Sequence, residues 1–104
     1  MYSILFCTAQ ADEAKKIAGQ LVEEKRVACV NITRVDSFFR WEGKTESEQE
    51  SLLIMKTMTN QIGNVVARIK ELHSYDVPEI IALPVIDGND EYLNWVKDSV
   101  ETPD

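Results

Sequence analysis

Two hydrophobic rhythms alternate along the chain of 104 residues. "YSILFCTA" (2–9) is a short apolar run ending in polar residues, which predicts a strand. From Asp12 to Arg26 the apolar positions Ala14, Ile17, Ala18, Leu21 and Val22 recur at steps of three and four, the spacing of an amphipathic helix. "VACVNI" (27–32) is strand-like again. It continues through Val35, Phe38, Phe39 and Trp41 with a shifted alternation, so a bend or bulge is expected between Thr33 and Asp36. A turn at Gly43-Lys44 leads into the return strand "SLLIMKTM" (51–58), closing a long hairpin. Thr59 or Asn60 is placed to cap a second helix with Ile62, Val65, Val66, Ile69 and Leu72 on one face. Pro78 opens a fourth strand, "PEIIALPVI", and Asp87-Gly88-Asn89-Asp90 turns the chain into a short helix carrying Tyr92, Leu93, Trp95 and Val96. The final "ETPD" is expected to fray.

The order β-α-β-β-α-β-α is the split βαβ, or ferredoxin-like, pattern: an α+β single domain over residues 1–104, with an antiparallel sheet and an extra C-terminal helix. That pattern orders its strands 4-1-3-2, and Pro84 in the middle of strand 4 suits an edge, because proline cannot donate to a ladder. Its two main helices cover only one face of the sheet, yet "ILFC", "VACV", "LLIM" and "IIALPVI" are apolar at consecutive positions. Both faces therefore ask for burial. Each Leu or Ile left in water forgoes on the order of 1.5–3 kcal/mol. The last helix is too short to shield four strands, so a homo-oligomer is expected, with the Phe38, Phe39 and Trp41 hairpin as the arm that reaches a neighbour.

Charge narrows the partners. Eighteen acidic against 11 basic residues give a formal charge of −7, which disfavours nucleic acid and anionic membrane surfaces. No apolar run approaches a membrane span, and "MYSILFCTAQ" lacks the basic start of a secretory signal. Cys7 and Cys29 are then read as reduced thiols in a cytoplasmic protein. A Cys7–Cys29 disulfide is disfavoured because strands 1 and 2 are not neighbours in this topology.

The topology brings the end of strand 1 at Cys7, the start of strand 3 at Glu50 and the residue His73 before strand 4 to one rim of the sheet, beside the hairpin. A thiolate, a carboxylate and an imidazole suit a soft or borderline divalent cation, copper or zinc before magnesium. Each residue also has a plainer reading: His73 as the end of a helix, Cys7 as a small core residue, Glu50 as part of the solvated run Glu46, Glu48, Glu50. Trp41, Tyr75, Tyr92 and Trp95 read as packing anchors, since the central strands lack the aromatics and basic charge of RNA-binding relatives of this fold.

Taken together, Cys7-Thr8-Ala9, Ala28-Cys29-Val30-Asn31, Trp41-Glu42-Gly43-Lys44, Glu50 with Lys56-Thr57, His73 with Tyr75 and Pro78-Glu79-Ile80, Pro84-Val85, and Tyr92-Leu93 with Trp95 resemble the CutA-like divalent-cation tolerance proteins over about residues 3 to 97. The resemblance implies a ferredoxin-like protomer in a tight homotrimer, akin in architecture to the PII signalling proteins, and a link to copper and other divalent cations. It carries the family's metal positions onto Cys7, Glu50 and His73. Leu72, Ser74 and Gln10 depart from the family pattern, and the single imidazole implies a weaker soft-metal site with transient occupancy. A second expectation is a PII-like signalling or scaffold module holding a small effector or partner protein in an inter-subunit cleft near Trp41, Lys56, Tyr75 and Glu79. With one histidine and no nucleophile motif or phosphate loop, an enzyme is not expected.

Overall fold

The computed structural model describes residues 1–102. Its elements follow the predicted order: strand β1 (Tyr2–Ala9), helix α1 (Ala11–Glu23), strands β2 (Cys29–Trp41) and β3 (Lys44–Met58), a single 3-10 turn at Thr59–Gln61, helix α2 (Ile62–Leu72), strand β4 (Ile80–Pro84) and helix α3 (Asp90–Ser99). The sheet runs β2-β3-β1-β4, with every adjacent pair antiparallel. This is the expected ferredoxin-like arrangement with β4 on an edge. Pro84 closes β4 rather than occupying its middle, opposite Ser3.

Alternation in β1 and β3 sets the core. Leu5, Cys7 and Ala9 face the same side as Leu53 and Met55, and α1 and α2 close over them with Ala14, Ile17, Leu21, Val65 and Ile69. The opposite face carries Ile4, Phe6, Leu52 and Ile54, each only partly buried, and on the edge strand Ile81 and Leu83, both exposed. Helix α3 covers one corner of that face, where Val96 and Val100 pack with Tyr2 and Met58. Tyr92 and Trp95 stack with ring centroids 5.5 Å apart, yet both stay more than two-fifths exposed. The second apolar face expected from the sequence is thus present and largely open in one protomer.

Four local expectations are corrected. β2 and β3 pair without interruption from Cys29–Lys56 to Trp41–Lys44, so there is no bulge near Thr33 to Asp36. The apparent shift in alternation arises because the hairpin leaves the core there and becomes an arm wet on both faces; the molecule extends 44 Å along its longest axis. The hairpin turn is Glu42-Gly43, at φ 50° and 79°, one residue earlier than predicted. Neither Thr59 nor Asn60 caps α2, which lacks a side-chain cap; the Thr59 hydroxyl instead bonds Ser3 Oγ at 2.8 Å. Glu101 is not frayed: its amide donates to the Lys25 carbonyl at 2.8 Å, and its carbonyl accepts from Gln61 Nε2. Pro103 and Asp104 of the "ETPD" expectation lie outside the described residues.

Candidate functional site

His73 is the residue at which α2 stops. Its backbone turns extended (φ −83°, ψ 140°) while its amide still donates to the Ile69 carbonyl at 2.8 Å. The turn throws the ring under the sheet's rim, where its side chain is wholly buried. Nε2 lies 2.8 Å from the Thr8 carbonyl oxygen, which only accepts, so Nε2 carries a hydrogen. Nδ1 meets two groups: the Tyr75 amide at 3.1 Å and Glu13 Oε1 at 3.0 Å. A neutral ring accepts from Tyr75; a protonated one donates to Glu13. Glu13 also accepts the Ser74 amide at 2.7 Å, and that bond, foremost, holds its carboxyl below the usual range.

Cys7 is fully buried, and its thiol points to the same Thr8 carbonyl, 3.7 Å away. Burial, reinforced by the negative charges of Glu79, Glu13 and Glu50, pushes the Cys7 thiol up to about 12. Glu50, 9% exposed, sits where the arm enters the body. The Tyr75 hydroxyl donates to Glu50 Oε2 at 2.9 Å and accepts from Gln10 Nε2 at 3.0 Å. The Tyr75 and His73 rings lie 4.5 Å apart. Thus one short loop, His73 to Tyr75, bonds to β1, to the first turn of α1 and to β3.

The rim therefore does gather Cys7, Glu50 and His73 around Thr8 and Tyr75, but as a hydrogen-bonded cluster. A metal ligand must offer a bare lone pair. Cys7 is a protonated thiol, His73 Nε2 bears a hydrogen, and among the described residues no group of three or more His, Cys, Asp or Glu side chains is placed to hold a metal ion. The donor types suit a soft cation; their present bonding does not form a ready chelate.

Outside the rim, a cleft of about 990 Å³ opens between the arm and the loop before β4. Trp41, Tyr75, Glu50 and Glu79 line it. Lys56, grouped with them from sequence, lies apart in one protomer: its Nζ donates to Asn31 Oδ1 and stands 4.0 Å from Cys29 Sγ, beside a smaller hollow next to α3. β3 is simply too long for Glu50 and Lys56 to share one end. Sequence reasoning missed Glu13 and the positioning role of Gln10. Gln10 precedes α1 and gives the helix no side-chain cap; its Nε2 donates to the Tyr75 hydroxyl instead. The signal was there: Gln10 is one of the positions that departs from the family pattern.

The free thiols Cys7 and Cys29 stand on opposite faces of non-adjacent strands, consistent with no disulfide between them. No helix among the described residues is long and apolar enough to cross a membrane.

Residues 3–99 match the family model described as CutA1 divalent ion tolerance protein. The divalent-cation tolerance protein CutA of Thermus thermophilus is 44% identical over 101 residues, covering 95% of this chain and 98% of that one. A chloroplastic protein CutA of Arabidopsis thaliana is 44% identical over 98 residues, covering 92% of this chain and 54% of that longer one. The solved structure of a periplasmic divalent cation tolerance protein CutA from Archaeoglobus fulgidus superposes with a TM-score of 0.95 at 41% identity, covering 97% of this chain and all of that one. On sequence and fold together, the chain belongs to the CutA1 divalent ion tolerance family.

Proposed function

We propose that this protein is a cytoplasmic, non-enzymatic homotrimer that contributes to divalent-cation tolerance by binding copper or a similar cation transiently at the Cys7, Glu50 and His73 rim. The observation that carries this reading is the shared Thr8 carbonyl: Cys7 Sγ and His73 Nε2 both point at it, and Tyr75 links His73 to Glu50, its amide donating to His73 Nδ1 and its hydroxyl to Glu50 Oε2. Two soft donors held that close suit copper, and the protons they carry explain why occupancy would be weak: a cation has to compete with them. The open apolar face supports oligomerisation, because six apolar side chains on three strands, β1, β3 and β4, are left partly or fully in water by a single copy. The unpaired thiols suit a reducing compartment.

Titration of the purified protein with Cu²⁺ and Cu⁺, comparing wild type with Cys7→Ser, His73→Ala and Glu50→Gln, tests the site. Weaker binding in the variants supports it, and identical affinities in all four proteins eliminate these ligands.

A second reading, a PII-like module that holds a small effector, is favoured by one observation. The cleft beside Trp41, Tyr75 and Glu79 has the volume of small-molecule sites. In a trimer the arm would bring neighbouring subunits to its mouth, and Lys56 would join from a partner copy. Stabilisation by any metabolite in a thermal-shift screen supports this reading, and a flat screen argues against it.

A further inference from the structure

Side chains alternate along β3, so Glu50, Leu52, Ile54 and Lys56 stand on the open side of the sheet, and Ser51, Leu53, Met55 and Thr57 are buried on the other. A carboxylate and an ammonium thus bracket two apolar side chains along one line. Neighbouring strands widen that line into a face, with Ile4 opposite Lys56 and Phe6 opposite Ile54 on β1, and Leu83 and Ile81 beyond them on β4. All of these apolar side chains are left partly or fully in water by one copy.

Neither end of the line finds its counter-charge within the chain. Glu50 is nine-tenths buried, and among the described residues no Lys, Arg or His forms an ion pair with it. Tyr75 holds Oε2, which leaves Oε1 toward the cleft. A carboxylate withdrawn from water without a cation is costly. At the other end, Lys56 Nζ donates to the neutral Asn31 side chain. Among the described residues no carboxylate pairs with it, although Asp87 lines the same hollow. Glu50 and Lys56 of one chain cannot meet, because six residues of extended strand span about 20 Å.

We infer that the copy of this chain that covers the open face seats its Lys56 ammonium against Glu50, so that each cleft is closed by a charge from the next subunit. Like ends of the line repel and unlike ends attract, which sets the direction of the contact. A contact between two different ends is heterologous, and around a threefold axis it closes into a ring. Each copy then gives Lys56 to one neighbour and Glu50 to the other, while the apolar side chains between them supply the buried area. Glu50 is held by Tyr75 of its own chain and by the partner subunit's Lys56, so the rim and the interface share one carboxylate. The inference rests on the homotrimer reading and names the contact that orients it.

A double-mutant cycle on the full chain tests it, with Glu50→Gln, which keeps an acceptor for Tyr75, Lys56→Met and the two combined. Dissociation is followed by sedimentation over a dilution series at 0.15 M salt. The two substitutions are expected to be coupled by about fivefold in the dissociation midpoint. The Debye length is about 8 Å at this salt, so coupling between side chains about 20 Å apart in one chain has to arise between subunits. Lys15→Met, on the exposed side of α1, should be additive with Glu50→Gln. Zero-length carbodiimide cross-linking of the wild type reads the contact without any variant: a two-chain product carrying a Lys56–Glu50 amide is expected. A trimer in which the cycle is additive within twofold, or in which Lys56 cross-links only to other carboxylates, overturns the inference and leaves the homotrimer standing. A wild type that is monomeric at micromolar concentration overturns both.

Discussion

The Tyr75 hydroxyl donates to Glu50 Oε2 at 2.9 Å, joining residues 25 positions apart and fixing the loop after α2 against the root of the arm. Because Glu50 is nine-tenths buried, removing that donor leaves part of a carboxylate unsatisfied. Tyr75→Phe should therefore destabilise the protein by about 1–3 kcal/mol. Glu50→Gln should cost less, since its side-chain carbonyl still accepts. Urea unfolding at fixed protein concentration compares the two, and a double-mutant cycle with Glu50→Ala gives the coupling directly.

Cys7 should be chemically silent in the native protein. Its thiol is buried and raised to about 12, against 9.0 unfolded, so the reactive thiolate is suppressed at neutral pH. The sign of the linkage follows: the neutral thiol adds stability below about 9, and that contribution is lost as pH rises from 9 toward 12. Native protein treated with a thiol reagent at pH 8 should leave Cys7 unmodified by mass spectrometry, and denatured protein should show it labelled. Cys7→Ser should lessen the loss of stability at alkaline pH.

Acid should act through Glu24. Arg68, Gln20 and Arg26 all donate to its carboxylate, and hydrogen bonding to Arg68, before the others, holds it at about 2 against an ordinary 4.5. Stability from this group is present above 4.5 and is lost as pH falls from 4.5 toward 2. Glu24→Gln should flatten the pH dependence of the melting temperature across that window while changing little at alkaline pH.

The arm's turn stores a local conflict. Glu42 sits at φ 50° ahead of Gly43 at φ 79°, both positions of a two-residue hairpin turn that favours Asn-Gly. Glu42→Asn should stabilise the protein by about 0.5–1 kcal/mol, read as a higher melting temperature with no change in assembly.

The open sheet face should govern assembly. Ile81 and Leu83 are 51% and 41% exposed on β4, beside the half-buried Phe6 and Ile4 of β1 that they pair with. Ile81→Asp should break a homotrimer into monomers by light scattering at micromolar concentration, while a charge on the already wet outer side of α1, such as Gly19→Glu, should not. A wild-type protein that is monomeric in the same measurement removes the basis for any inter-subunit cleft.

The order of elements, the antiparallel sheet, the edge position of β4 and the doubly apolar strands were all legible in the chain, because periodicity and proline act locally and the ferredoxin-like pattern leaves few ways to connect seven elements. Nearness of Cys7, Glu50 and His73 was legible for the same reason: topology fixes which strand ends share a rim. What those residues do there was not. Whether His73 offers a lone pair depends on Thr8 and Glu13, 65 and 60 positions away in the chain, and no local spacing encodes such a pairing. The separation of Lys56 from Glu50 and the unbroken register of the arm likewise follow from strand length and packing. Sequence pattern determines which faces seek burial; only tertiary contact decides which polar atoms are already spoken for, because hydrogen-bond partners are chosen across space.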